Sequence, residues 1–173
     1  MRKVMLFAGT IVLLGLGAAL PAGAAVTGGT PATFTLTAGA LSISVPTGPV
    51  SLGSQEALTT SSTMSGSLGV VTVTDQRGGT TTWTASVISG AFTPDGGPAD
   101  PASNLSYAAG TVTVTANVVA TAVPATDLTG ESTVVTGAST GISTASWNPT
   151  ISVIIPANFA PGVYSATITH SVA

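Results

Sequence analysis

Few side chains in this sequence are of the types that carry acid–base or nucleophilic chemistry. The single histidine, His170, lies on a predicted strand, where a preorganised general base is unusual. Asp95 and Asp100 form a close pair of carboxylates, the arrangement that glycoside hydrolases use. Both lie in a polar loop, residues 93–104, which needs solvating charge in any case. The sequence therefore predicts no catalytic residue and favours a protein that is not an enzyme.

The loop that holds these two acids also contains Asn104, so it offers oxygen ligands to a calcium ion. It lacks the regular ligand spacing of calcium-binding loops, and it has no glutamate to bind the ion through both carboxylate oxygens. A solvated loop is the favoured interpretation and a calcium site is the alternative. We predict neither a metal site nor a cofactor.

Asp75 and Arg77 are two residues apart at the end of a predicted strand, so their side chains can lie on the same side of it. The favoured interpretation is a local ion pair that holds the turn, which contributes at most about 1 kcal/mol if it is exposed. The alternative is that the guanidinium binds a carboxylate of a glycan or peptide ligand.

Trp83 and Trp147 have two alternative roles. Each shares its predicted strand face with apolar neighbours, which predicts that at least one of them packs in a core. An exposed indole would instead stack against sugar rings.

The elements that must position these residues are β-strands, because Thr, Ser, Gly, Ala and Val dominate and no helical periodicity follows Leu20. Alternation of apolar and polar side chains predicts strands at residues 34–37, 41–45, 67–74, 82–89 and 111–120. The alternation changes phase within the third of these strands, which predicts a β-bulge near residues 69–71. Residues 124–141 are weakly patterned and are expected to form loop or short edge strands.

Two β-hairpins are predicted. Residues 75–79 have glycines for a tight turn between the strands at 67–74 and 82–89. Residues 143–173 have the pattern of two long strands joined by a loop, with Ile154 on a strand that is covered on both faces. Many short strands separated by turns predict a single-domain, antiparallel, all-β sandwich of the Ig-like or Greek-key type.

The first 24 residues have the pattern of a secretory signal peptide. Arg2 and Lys3 precede an apolar run that ends at Leu20, and Ala22-Gly23-Ala24 is a cleavage sequence. Cleavage there leaves a mature domain at residues 25–173, in which one arginine against six acids gives a net charge of −5. So few cationic side chains exclude nucleic-acid binding and electrostatic adhesion to anionic polymers.

The sequence also lacks the common means of covalent attachment to a surface. It has no cysteine, which excludes disulfides, thiolate metal sites and a lipidated N-terminal cysteine. The mature chain has no lysine for an isopeptide cross-link, no sorting motif and no apolar run that would span a membrane. Any attachment to a cell surface is therefore expected to be non-covalent.

Two tryptophan motifs and the segments around them resemble a known family. The first motif follows a strand and a turn, and the second leads into a Pro/Gly loop and a final strand: Val73-Thr74-Asp75-Gln76-Arg77-Gly78 with Trp83-Thr84-Ala85, and Trp147-Asn148-Pro149-Thr150 with Ala160-Pro161-Gly162-Val163-Tyr164. In this order, residues 68–173 resemble the WxL-domain family of Gram-positive cell-surface proteins, in an actinobacterial-type variant. Ala85 and Pro149 stand where the two motifs have leucine.

The resemblance implies a β-domain that attaches non-covalently to peptidoglycan, often together with companion surface proteins. Carried over residue by residue, it implies ligand-binding roles for Trp83, Ala85 and Trp147, with Asp75 and Arg77 beside them in the motif. We therefore expect a secreted, extracellular, non-enzymatic protein associated with the cell wall, whose partner is peptidoglycan or another wall glycan. The alternative is a structural or adhesive subunit that pairs with a partner surface protein.

Overall fold

The structure, a computed structural model, describes residues 27–94 and 97–173. The predicted signal peptide at residues 1–24 and the acid Asp95 lie outside the described residues. The chain divides into two compact units, residues 1–35 and residues 36–173. In the first unit, residues 27–35 are exposed and form neither helix nor strand, so the strand predicted at residues 34–37 is wrong.

The second unit is built from β-strands, and no α-helix occurs among the described residues. The first seven strands are β1 Leu41–Ser44, β2 Ser62–Ser67, β3 Val71–Asp75, β4 Thr81–Ser89, β5 Thr93–Pro94, β6 Leu105–Ala108 and β7 Thr113–Val114. The next seven are β8 Val118–Ala122, β9 Ala125–Thr126, β10 Ser132–Ser139, β11 Ser143–Trp147, β12 Thr150–Ile155, β13 Tyr164–Ser165 and β14 Ile168–Val172. A 3-10 turn at Ala102–Asn104 precedes β6.

Three four-stranded sheets and a two-stranded ribbon enclose the core. Sheet 1 has the order β1-β3-β11-β7, sheet 2 the order β14-β4-β10-β8 and sheet 3 the order β2-β12-β6-β9, while β13 pairs with β5. Every pairing is antiparallel. The predicted antiparallel all-β sandwich is confirmed.

Sheets 1 and 3 run into each other at a bulge. Ser67 pairs with Thr150, and Val71 pairs with Trp147, so three residues on one strand face two on the other. The backbone N–H of Leu68 donates to the carbonyl of Pro149 at 2.9 Å and keeps the strands together there. The predicted bulge near residues 69–71 therefore exists, and it moves the apolar set from one parity to the other.

Strands that follow each other in the chain do not pair, so both predicted hairpins are wrong. β3 pairs with β1 and β11, whereas β4 pairs with β10 and β14. The turn after Asp75 is therefore an arch between two sheets. In the C-terminal stretch β12 pairs with β2 and β6, and the final strand β14 pairs with β4.

Three further predictions need correction. The strand predicted at residues 111–120 is broken into β7 and β8, because Asn117 has φ of 73°, a left-handed conformation that ends the extended chain. The weakly patterned residues 124–141 contain β10, a central strand between β4 and β8. Ile154 is 50 % exposed, so β12 is covered on only one face at that residue.

The core lies between sheet 2 and the joined sheets 1 and 3. Alternate residues of β3, β4 and β11 point inward, as the period of two requires. The core combines aliphatic residues with three aromatic side chains: Val71, Val73, Trp83, Ala85, Val87, Leu105, Tyr107, Leu128, Val134, Val135, Ala145, Trp147, Ile151 and Val153.

Candidate functional site

The three residues expected to bind a ligand through the tryptophan motifs are core residues. Trp83 is 3 % exposed, Trp147 is 2 % exposed, and Ala85, two residues after Trp83 on the same strand face, is fully buried. The prediction that at least one indole packs in the core is therefore confirmed for both. Neither indole has an open face on which a sugar ring could stack, and a ligand-binding role for these three residues stays a prediction.

Asp75 and Arg77 form the predicted ion pair and close the arch between β3 and β4. The Arg77 guanidinium donates from Nε to Asp75 Oδ1 at 2.9 Å and from Nη2 to Asp75 Oδ2 at 3.0 Å. Nη2 also donates to the carbonyl of Thr82 at 2.9 Å, and the Thr81 hydroxyl donates to Asp75 Oδ2 at 2.8 Å. The pair therefore connects the end of β3, in sheet 1, to the start of β4, in sheet 2.

The hydrogen bonds from Arg77 hold the pKa of Asp75 well below its ordinary value, with Thr81 acting in the same direction and burial acting against them. The Asp75 carboxylate is buried, and these donors stand in for water around its charge. The guanidinium is engaged in the arch, and the alternative that it binds a ligand carboxylate stays a prediction.

A second arch lies beside the first. β10 ends at Ser139, which pairs with Thr81 in sheet 2. β11 begins at Ser143, which pairs with Asp75 in sheet 1. The hydroxyls of Ser139 and Ser143 are 2.9 Å apart and buried. Residues 137–141 read Gly-Ala-Ser-Thr-Gly, the spacing of a nucleophile elbow. Here the serine ends a strand that leads to another strand instead of a helix, and its hydroxyl is buried against that of Ser143.

Tyr107 connects the three sheets through hydrogen bonds. The indole Nε1–H of Trp147, on sheet 1, donates to the hydroxyl of Tyr107, on sheet 3, at 2.9 Å. That hydroxyl lies 3.1 Å from Nε2 of His170, on sheet 2, and the two rings meet edge to face with centroids 5.5 Å apart. Burial raises the pKa of Tyr107 to about 12 and lowers the pKa of His170. His170 is thus a half-buried residue whose ring is hydrogen-bonded to Tyr107.

A large cleft, with a volume of about 1170 Å³, opens on one side of the sandwich. One wall is the irregular segment of residues 45–58, and the other is the loop at residues 156–167. Phe92, Asp100 and His170 are among the side chains that reach it from the sandwich. On the second wall the rings of Phe159 and Tyr164 are stacked, with centroids 5.1 Å apart and planes 28° from parallel.

Asp100 and Asn104 do come together, but as a hydrogen-bonded pair. The Asn104 amide Nδ2 donates to Asp100 Oδ1 at 2.6 Å. Burial raises the pKa of Asp100, and this hydrogen bond opposes the shift. Within residues 27–94 and 97–173, no three His, Cys, Asp or Glu side chains lie close enough to hold a metal ion. The calcium alternative, which also involves Asp95, stays a prediction.

No helix of the described residues is long and apolar enough to cross a membrane. Comparison of the chain with models of protein families, with curated proteins and with solved structures found no match.

The sequence patterns did not reveal the cleft or the Tyr107 network. Trp147 and His170 contact Tyr107 from 40 and 63 residues away in the chain, so only the topology brings them together. The sequence carries a weak signal for the stacked aromatic pair, because Phe159 and Tyr164 lie on either side of the Ala-Pro-Gly turn in the final loop.

Proposed function

We propose that this chain is an exported, non-enzymatic surface protein that associates non-covalently with peptidoglycan. The signal-peptide pattern supports export, and the WxL resemblance supports the wall as the partner. Arg77, the one cationic side chain expected after cleavage, is engaged with Asp75 and Thr82. Contact with the wall would therefore use hydrogen bonds and aromatic stacking, with little ionic contribution.

The observation that carries this proposal is the chemistry of the cleft. Its lining combines a stacked aromatic pair with many Ser, Thr and Gly residues, and none of its described residues is cationic. Aromatic faces beside polar groups suit carbohydrate, which presents apolar ring faces and many hydroxyls. This surface takes the place of the two buried indoles as the preferred contact with glycan.

Co-sedimentation with purified sacculi tests the proposal. We expect the purified protein to pellet with peptidoglycan in both low and high salt, since screening weakens only ionic contacts. A protein that stays in the supernatant under both conditions, or is released by salt, would contradict it.

A structural subunit that pairs with a partner surface protein is the second candidate. β8 forms one edge of sheet 2, because it pairs only with β10, and its outward-facing Val119 is 73 % exposed. A strand at the edge of a sheet with an exposed apolar residue is suited to strand addition by another chain. Light scattering after size exclusion separates the candidates: a monomer that pellets with sacculi supports wall binding, and a stable oligomer that does not pellet supports the subunit.

A further inference from the structure

Asp100, one of the residues that line the cleft, has a largely buried side chain, and one of its carboxylate oxygens accepts from no described donor. Asp100 is 2 % exposed, and its backbone is held by two hydrogen bonds with Phe92, at 2.8 and 2.9 Å. Asn104 donates to Oδ1, whereas no described residue donates to Oδ2. Asp100 is among the residues that line the cleft, and a carboxylate oxygen without a donor from the described residues can accept there from a ligand N–H or O–H.

The hydrogen bonds of Tyr107 assign a tautomer to His170, which also lines the cleft. An indole N–H can only donate, so the Tyr107 oxygen accepts from Trp147. The enclosed Tyr107 O–H must itself donate, and His170 Nε2 is its acceptor. The neutral imidazole then carries its proton on Nδ1, for which the described residues supply no acceptor. His170 therefore offers an N–H donor, just as Asp100 offers an acceptor.

The aromatic pair on the cleft wall is held in place before any ligand arrives. The Tyr164 hydroxyl donates to the carbonyl of Ala160 at 2.8 Å, which closes the loop on itself. Tyr164 is also anchored by the pairing of β13 with β5. Phe159 stacks on this fixed ring, and both rings are half-buried, so each keeps part of its surface open. A rigid aromatic surface loses little entropy on binding.

We propose that this cleft binds a neutral oligosaccharide that carries acetamido groups, with Phe159 and Tyr164 stacking on sugar rings and Asp100 and His170 binding the polar substituents. An acetamido group presents one N–H and one carbonyl, which match the acceptor of Asp100 and the donor of His170. A strongly anionic sugar is disfavoured, because Glu56 and Asp100 line the cleft and none of the described lining residues is cationic. The choice of amino sugar rests on the proposed function, because the glycan strands of the wall are built from such units.

The test is a titration of the purified protein with soluble oligomers of N-acetylglucosamine, followed by calorimetry and by NMR shifts of the Tyr164 ring. We expect saturable binding that weakens roughly tenfold in Tyr164→Ala, through loss of stacking. Asp100→Asn keeps the acceptor for Asn104 but removes the charge, and we expect a loss of at least about tenfold. Val119→Ser, on β8 and outside the cleft, is the control and should bind as the unmodified chain does.

Several outcomes would overturn the proposal. They are no binding of the oligomers, and binding that both cleft substitutions leave unchanged. Sacculus pelleting that persists in both cleft variants would overturn this site while leaving wall association intact. Oligosaccharide binding without pelleting would support the site and contradict the wider function. Unchanged chemical shifts for core residues in each variant establish that the fold is retained.

Discussion

Gly137 on β10 lies directly opposite Trp83 on β4, and the indole occupies the space where a side chain at position 137 would stand. A Cβ built on this glycine overlaps the ring atoms Cε2, Cζ2 and Nε1 of Trp83. Glycine in the middle of a strand normally weakens it, but here it admits a large ring to the core.

Gly137→Ala should therefore destabilise the protein. The added methyl group forces the buried indole to shift, which costs about 1–3 kcal/mol in an already packed core. Urea unfolding followed by tryptophan fluorescence measures the change. Gly130→Ala is the control, because a Cβ at position 130 meets no atom within 4 Å. Equal losses of stability in the two variants would contradict the packing described for Trp83.

Tyr107→Phe should also destabilise the fold, by about 1–3 kcal/mol. Removing the hydroxyl leaves the buried N–H of Trp147 without an acceptor and His170 Nε2 without a donor. Tyr164→Phe loses a single hydrogen bond at a half-exposed site and should cost less. Thermal unfolding of the two variants makes the comparison, and a larger loss in Tyr164→Phe would refute the assigned role of Tyr107.

Asp75→Asn should cost about 2 kcal/mol, because hydrogen bonds to a charged group are stronger than those to a neutral amide. The folded pKa of Asp75 is lowered, so its contribution is present above the ordinary value of 3.8 and is lost as the pH falls below it. The stability difference between wild type and variant should therefore shrink in acid. Denaturant titrations at neutral and acidic pH measure it, with exposed Glu56→Gln as the control. A stability difference that stays constant with pH would contradict the lowered pKa of Asp75.

The lowered pKa of His170 predicts that the protein loses stability in mild acid. Burial lowers its folded pKa, so as the pH falls below the ordinary value of 6.5 the unfolded chain takes up the proton first. Stability should fall by at most about 1.4 kcal/mol per pH unit until the folded pKa is reached.

His170→Gln should remove this dependence. Asp100 reaches the same cleft and has a raised pKa, so its contribution has the opposite sign and is lost as the pH rises above 3.8. The free energy of unfolding should therefore be measured in proteins that carry Asp100→Asn. One of them keeps His170 and the other carries His170→Gln, and both are measured at neutral and mildly acidic pH. Parallel profiles would show that His170 does not titrate as described.

The alternation of side chains predicted which residues face the core, because that property is local. Trp83, Ala85 and Val87 share a buried face on β4 as their spacing requires, and the bulge at residues 69–71 was visible as a change of phase. The Asp75–Arg77 pair was also predictable, since the two side chains are adjacent at one strand end.

Strand pairing was not predictable in the same way. A turn rich in glycine, such as residues 75–79, fits an arch as well as a hairpin, and alternation is silent about which strand lies alongside. β10 was missed because Val134 and Val135 are both buried at a bulge, and Gly137 has no side chain to show its face. The cleft was not predictable, since residues 45–58 carry no regular pattern.

The absence of pairing between successive strands also determines the order in which this domain can form. β4 pairs only with the later strands β10 and β14, and β2 pairs only with β12 among the described strands. Sheets 2 and 3 therefore stay incomplete until the C-terminal part of the domain has been synthesised. Contacts between distant segments make folding slow, on the order of milliseconds to seconds for such β-proteins. A partly synthesised domain that stops before Ser132 could pair only β1 with β3 and β6 with β9 among the described strands of its two main layers, so most of its apolar strand faces would remain uncovered.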